Sequence, residues 1–149
     1  MTERNEVPKV TGTQVFLDTV SFRHREDPLE MEVEKGDGIA DANLSVDFRE
    51  SDDPNLVAVR FRVVSQDPKA LYEYDVAYIV LVTGNFAGGL DDNLKDRLLV
   101  TAGNMVMPFL REFVANMSMR ARFGATWLSP VNFAGLVEQR ALVAQGGGS

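Results

Sequence analysis

The run Leu71-Tyr-Glu-Tyr-Asp-Val-Ala-Tyr-Ile-Val-Leu-Val82, the breaker Thr83-Gly-Asn-Phe-Ala-Gly-Gly89, and the stretch Leu90-Asp-Asp-Asn-Leu-Lys-Asp-Arg-Leu-Leu-Val-Thr-Ala-Gly-Asn-Met-Val-Met-Pro-Phe-Leu-Arg-Glu-Phe113 change hydrophobic period midway. Before the glycines, Tyr72, Tyr74, Val76, Tyr78 and Val80 alternate with Glu73, Asp75, Ala77, Ile79 and Leu81, the period of an extended chain. After them, Leu94, Leu98, Thr101, Met105, Phe109 and Phe113 recur at helical spacing, opened by Asp91 and Asp92 where a helix N-terminus favours negative charge. A second row, Leu99, Ala102, Val106, Leu110, Val114 and Met117, makes the stripe wider than contact with one sheet requires, so a further cover is expected. Pro108 follows Gly103 by about one turn, which predicts a break near Gly103 and two helical pieces.

Toward the N-terminus the period stays at two. Val57, Val59, Phe61 and Val63 oppose Arg60 and Arg62, and Leu44, Val46 and Phe48 oppose Ser45 and Asp47, which predicts two strands with one buried face. An earlier strand is predicted over 14–22, with Phe16, Val20 and Phe22 on one side and Asp18 interrupting the pattern. The span 24–41, rich in acids with Pro28, Gly36 and Gly38, reads as a long loop. Beyond the long helix, Arg120 and Arg122 fall in its expected last turn and Gly124 stops it, and Ser129-Pro130 opens a final helix carrying Phe133, Leu136 and Val137. Four strands followed by helices make an α+β domain, an antiparallel sheet with helices on one face. Residues 1–13 read as a flexible tail, 14–144 as the domain, and 145–149 as a flexible end resembling an engineered linker.

Composition narrows the function classes. A net charge of -7 and a pI near 4.7 oppose a phosphate-binding surface, so nucleic acid is not an expected partner. No stretch holds the ~18–20 consecutive apolar residues of a spanning helix, and the N-terminus lacks a signal-peptide pattern, so no membrane insertion is expected. With 0 cysteines there is neither disulfide nor thiolate chemistry, which suits the cytoplasm.

No residue pattern in the chain points to a catalytic residue or to a metal or cofactor site. His24, the 1 histidine, sits in Arg-His-Arg with no thiolate to share a zinc ion, and no triad assembles around it. Gly84 to Gly89 has the position of a phosphate loop but lacks both its lysine and its glycine spacing. The Glu26-Asp27 and Asp52-Asp53 pairs lie in turns, where acids are ordinarily solvated. The tyrosine face of the fourth strand and Met105, Met107, Met117 and Met119 read as core before they read as a ligand pocket.

Three motifs in the C-terminal half carry a resemblance: Asn104-Met-Val-Met-Pro-Phe-Leu-Arg-Glu-Phe113, Arg120-Ala-Arg-Phe123 and Leu128-Ser-Pro-Val-Asn-Phe133. The Pro-aromatic-x-Arg-Glu run and the Pro-Val-Asn-Phe run make this chain resemble the SecB family of export chaperones, most strongly over residues 92–137. The resemblance implies a four-stranded antiparallel sheet with a long helix and a short C-terminal helix packed on one face. It further implies a homotetramer, a dimer of dimers, whose contacts fall to Leu94, Leu98, Met105, Phe109, Phe113 and Met117. No enzymatic activity is implied, but ATP-independent holding of unfolded or precursor polypeptides, with Leu29, Met31, Val33, Phe133, Leu136 and Val137 as client-binding residues. Family members also dock on the SecA translocation motor through outer-face acids. Here Asp75 and the neighbouring Glu73 are the acids present, Thr19 and Arg23 stand where first-strand acids are expected, and the C-terminal motor-binding tail is not found. A dedicated chaperone of one partner, such as a toxin-antitoxin antitoxin, is the alternative implied; a small-molecule-binding or enzymatic α+β domain is a third reading.

Overall fold

The computed structural model describes residues 10–30, 39–40, 42–66 and 70–146. Strands β1 (Gly12–His24), β3 (Ala42–Glu50), β4 (Leu56–Ser65) and β5 (Tyr72–Thr83) form one antiparallel sheet in the order β1-β5-β4-β3. Between β1 and β3 a two-residue strand, β2 (Ile39–Ala40), pairs in parallel with β6 (Trp127–Leu128). Helix α1 (Asp92–Met119) crosses one face of the sheet over β4 and β5, and α2 (Phe133–Gly146) packs on α1. The α+β architecture expected from the period change is the one found.

The alternation of β4 and β5 dictates the core. Val57, Val59, Phe61 and Val63 pair across the ladder with Val82, Val80, Tyr78 and Val76, and all are buried under α1. Each such side chain removed from water contributes about 1.5–3 kcal/mol, so this double row anchors the domain. Arg60, Arg62, Glu73 and Asp75 take the opposite phase and occupy the outer face, which no helix among the described residues covers.

In β1 the expected phase is corrected. The register jumps between Leu17 and Thr19, leaving Asp18 as an extra, unpaired residue, a β-bulge. One extra residue exchanges the faces of everything before it. Phe16 therefore pairs with Ile79 on the outer face, while Val15 and Leu17 join Val20 and Phe22 on the helix side. Arg60 holds the bulge in place through an ion pair to Asp18 at 2.9 Å.

Helix α1 is also corrected, from two pieces to one. It runs unbroken for 28 residues with Pro108 inside it. Pro108 and Asn104 both lie on the exposed side, so water can serve the Asn104 carbonyl that lacks its N–H partner. Gly103 does not break the helix but seats another side chain: a Cβ there would lie 2.7 Å from ring carbons of Phe133. The Asp91 carboxylate accepts the Leu94 N–H at 2.8 Å and caps the start. The end falls at Met119 with Arg120 as the cap, one residue before the expected basic last turn begins. There the buried Ser118 hydroxyl donates to Val114 O at 2.7 Å and accepts the Thr126 N–H at 2.8 Å, which folds the exit turn back on the helix. Gly124, at φ +81, takes the left-handed conformation that this turn requires. By length and composition α1 could cross a membrane, yet 50% of its most apolar window is buried inside the domain, as befits its central helix.

Candidate functional site

The two apolar rows of α1 meet different surroundings. Leu99, Ala102, Val106, Leu110 and Val114 are sealed against the sheet. On the neighbouring flank Leu94, Met105, Phe113 and Met117 are half-buried and Phe109 is 47% exposed. Leu98, expected among the subunit contacts, is buried to 2% within the protomer itself. Phe109 and Phe113 lie on Tyr78, each with ring centroids 6.2 Å from it, and Leu17 and Val20 of β1 are exposed on the same side of the sheet. Burial raises the pKa of the Tyr78 hydroxyl, and the charge of Glu112 adds to the rise. At the start of α1, an open cavity of about 450 Å³ lies among Val10, Leu94, Leu98, Thr101 and Val137.

A second open surface borders β3, which is the last strand of the sheet. Leu44, Val46 and Phe48 face the helix side opposite Val63, Phe61 and Val59, but α1 does not reach far enough to seal them, and they remain half-buried. A cavity of about 110 Å³ opens between Leu44, Val63 and Met107 on one side and Leu128, Pro130 and Val131 on the other. The far wall is fixed from the helix, since Arg111 Nε donates to Leu128 O at 2.9 Å. Asn132 starts α2 by accepting the Gly135 N–H on Oδ1 at 3.0 Å, and α2 then presents Leu136, 42% exposed, with Val137 half-buried.

Of the expected client-binding residues, Leu29 is 85% exposed after β1, while Met31 and Val33 lie outside the described residues. Phe133 offers no open surface: it is 1% exposed, seated on Gly103 and edge-on to Phe61 with ring centroids 5.8 Å apart. The aromatic ring that starts α2 locks that helix onto the core. Leu44, Val46 and Phe48 were missed as surface, because alternation alone does not say whether a strand lies at the centre or the edge of a sheet.

On the outer face the acids are engaged. Arg62 donates to both oxygens of Asp75, at 2.8 and 2.5 Å, and these bonds hold the Asp75 carboxyl below its ordinary range. Glu73 is clasped by Arg23 and by Arg25, the latter at 3.3 Å. Asp18 is lowered likewise, first by its bond from Arg60. Among the described residues no group of three or more His, Asp or Glu is placed to hold a metal ion.

Apolar side chains left open on two flanks of one helix, beside a sheet edge, mark this part of the molecule as an interaction surface. The family model described as "Preprotein translocase subunit SecB" matches residues 3–143. The protein-export protein SecB of Chromohalobacter salexigens is 41% identical over 54 residues, 36% of this chain and 33% of the relative, so the match spans about a third of that protein's length. Among solved structures, the Mycobacterium tuberculosis Rv1957 SecB-like chaperone in complex with a ChAD peptide from the Rv1956 HigA1 antitoxin superposes with a TM-score of 0.56. That structure is 14% identical, over 84% of this chain and 88% of its own. The chain belongs to the SecB family.

Proposed function

We propose that this protein is an ATP-independent holdase that binds unfolded or pre-secretory polypeptides in the cytoplasm and keeps them competent for translocation. One observation carries the reading: the apolar strip of Leu44, Val46 and Phe48, continued by Val131, stays open although its residue types belong in a core. Such a strip holds extended apolar segments with little demand on their sequence, and holding them needs no bond to be made or broken. Leu29, Leu136 and Val137 are proposed as further client contacts, Met31 and Val33 with them, and Phe133 holds the start of α2 in place on the core.

The half-open flank of α1 and the exposed Leu17 and Val20 of β1 are proposed as the subunit contacts of a dimer of dimers. A closed assembly would cover the row that the sheet leaves bare. Phe109, Phe113, Met105, Met117 and Leu94 form this contact, with Leu98 behind them.

A second reading, a dedicated chaperone of one partner such as an antitoxin, is favoured by the outer face. Docking on the SecA motor through Glu73 and Asp75 would have to displace Arg62, Arg23 and Arg25 from both carboxylates. A chaperone that no longer visits the motor tolerates that neutralisation. The solved relative bound to an antitoxin peptide supports the same alternative.

Native mass spectrometry of the protein alone and with a chemically unfolded, non-cognate polypeptide tests both. A tetramer gaining one client mass supports the general holdase. An intact tetramer that ignores this client turns belief to the dedicated chaperone, and a monomer that binds nothing overturns both.

A further inference from the structure

The first strand of the sheet and the exit turn of the long helix meet at a single imidazole. His24 ends β1 and pairs with Tyr72, which begins β5. Its ring lies edge-on to Tyr72 and to Phe123, with centroids 5.6 and 5.8 Å away. Its Nε2 accepts the backbone N–H of Arg122 at 3.2 Å. A ring nitrogen that accepts carries no proton, so this contact requires the neutral imidazole with its hydrogen on Nδ1. Alongside, the Tyr72 hydroxyl accepts the Phe123 N–H at 3.1 Å and donates to Gly124 O at 2.8 Å. Residues 122, 123 and 124 are thus gripped in succession by two rings at one end of the sheet.

The two grips respond differently to acid. Burial raises the Tyr72 hydroxyl's pKa, so it keeps its proton and its bonds from neutral to mildly acidic pH. Imidazole is the side chain whose ordinary titration falls near neutrality, and an imidazolium carries N–H on both nitrogens. Its Nε2 then confronts the Arg122 N–H with another donor. The surrounding charges do not compensate. From the exit turn, the Arg122 guanidinium stacks over Phe123 at 5.4 Å. Just after β1, Arg25 turns to Ala70 O and Glu73, and Glu73 of β5 is occupied by it and by Arg23 on the outer face. Among the described residues no carboxylate lies within ion-pair distance of His24.

We infer that His24 is a proton-released latch: neutral, it clamps the turn of residues 120–126 to the sheet, and protonated, it lets that turn go. The turn leads directly into β6 and residues 128–131, which border the open strip along β3. Release therefore loosens one wall of that strip, and only this consequence for client grip rests on the holdase reading.

Amide hydrogen exchange by NMR on the full chain, without any client, tests the latch independently of that reading. Comparison of about pH 7.5 with about pH 5.5, corrected for intrinsic exchange, brackets the ordinary imidazole titration. Protection of the Arg122 amide should fall about tenfold at the lower pH, as expected when a single hydrogen bond is lost, and protection of the Phe123 amide should change less. In His24→Gln, whose side-chain oxygen accepts at either pH, Arg122 should stay protected at both. In His24→Phe, which keeps a ring but no acceptor, Arg122 should exchange fast at both. Equal Arg122 protection in the unsubstituted protein at the two pH values, or a pH dependence that survives in His24→Gln, overturns the inference.

Discussion

Two rows of apolar side chains run side by side along α1, alike in composition and spacing, and the sheet treats them oppositely. Leu99, Ala102, Val106, Leu110 and Val114 are shut in, whereas Met105, Phe109, Phe113 and Met117 keep part of their surface in water. Periodicity tells which residues share a face of a helix; the width and twist of what lies beneath decide how much of that face is sealed. Here α1 sits over β4 and β5, so the row leaning toward β1 and the strip on β3 are the two margins left open.

The sharpest break of this comparison is Leu110→Ala in the sealed row. Removing a fully buried leucine costs the transfer of its atoms plus a cavity, about 2–5 kcal/mol, read as a lower urea midpoint. Gly103→Val should follow at about 1–3 kcal/mol, since its side chain would strike the Phe133 ring and no flexible end is available to yield. In the open row Phe109 is 47% exposed, so Phe109→Ser should cost the protomer under about 1 kcal/mol while lowering the mass of the proposed assembly in light scattering. Should Phe109→Ser cost as much as Leu110→Ala and leave the mass unchanged, the two rows would not differ in duty.

The smallest effect lies on the outer face. Asp75 has a depressed folded pKa, so its pair with Arg62 adds stability above the unfolded carboxyl value of about 3.9 and loses it as pH falls through the folded value. The pair is partly solvated, so Asp75→Asn should cost about 0.2–1 kcal/mol at pH 7. That gap between the two proteins' urea midpoints should shrink as pH drops below about 4, and a gap that instead widened there would reverse the sign argued for the pair.

Much of this was legible in the residues. The alternation of β4 and β5 and the switch of period after Val82 are local signals, and they led to the right elements in the right order. What escaped reading depends on contacts between distant segments. Asp18 looked like a blemish in one strand, and only pairing with β5 makes it the extra residue that turns Phe16 outward. Gly103 beside Pro108 looked like a break, because nothing local announces that Phe133 needs the missing Cβ. The two-residue β2 and β6 are too short to carry any period. For the candidate site only exposure can be compared: Leu136 and Leu29 are exposed, while Phe133 and Leu98, equally apolar, are buried, because apolar character alone does not say which side chains the core takes. Nothing local to Arg-His-Arg announces the acceptor role of His24, which depends on an amide 98 residues away.

The bulge at Asp18 also governs what β1 will tolerate beside it. This strand forms one margin of the sheet, 13 residues long, with Leu17 and Val20 exposed, a combination that ordinarily invites stray chains to stack and aggregate. The extra residue splits its hydrogen-bonding edge into two segments out of step with each other. A regular strand arriving from an unfolded chain can zip along one segment and then loses register at Asp18. Only a neighbour with a matching irregularity can pair along the whole length, so the protein's longest edge resists being extended by passing chains although apolar side chains stand open beside it.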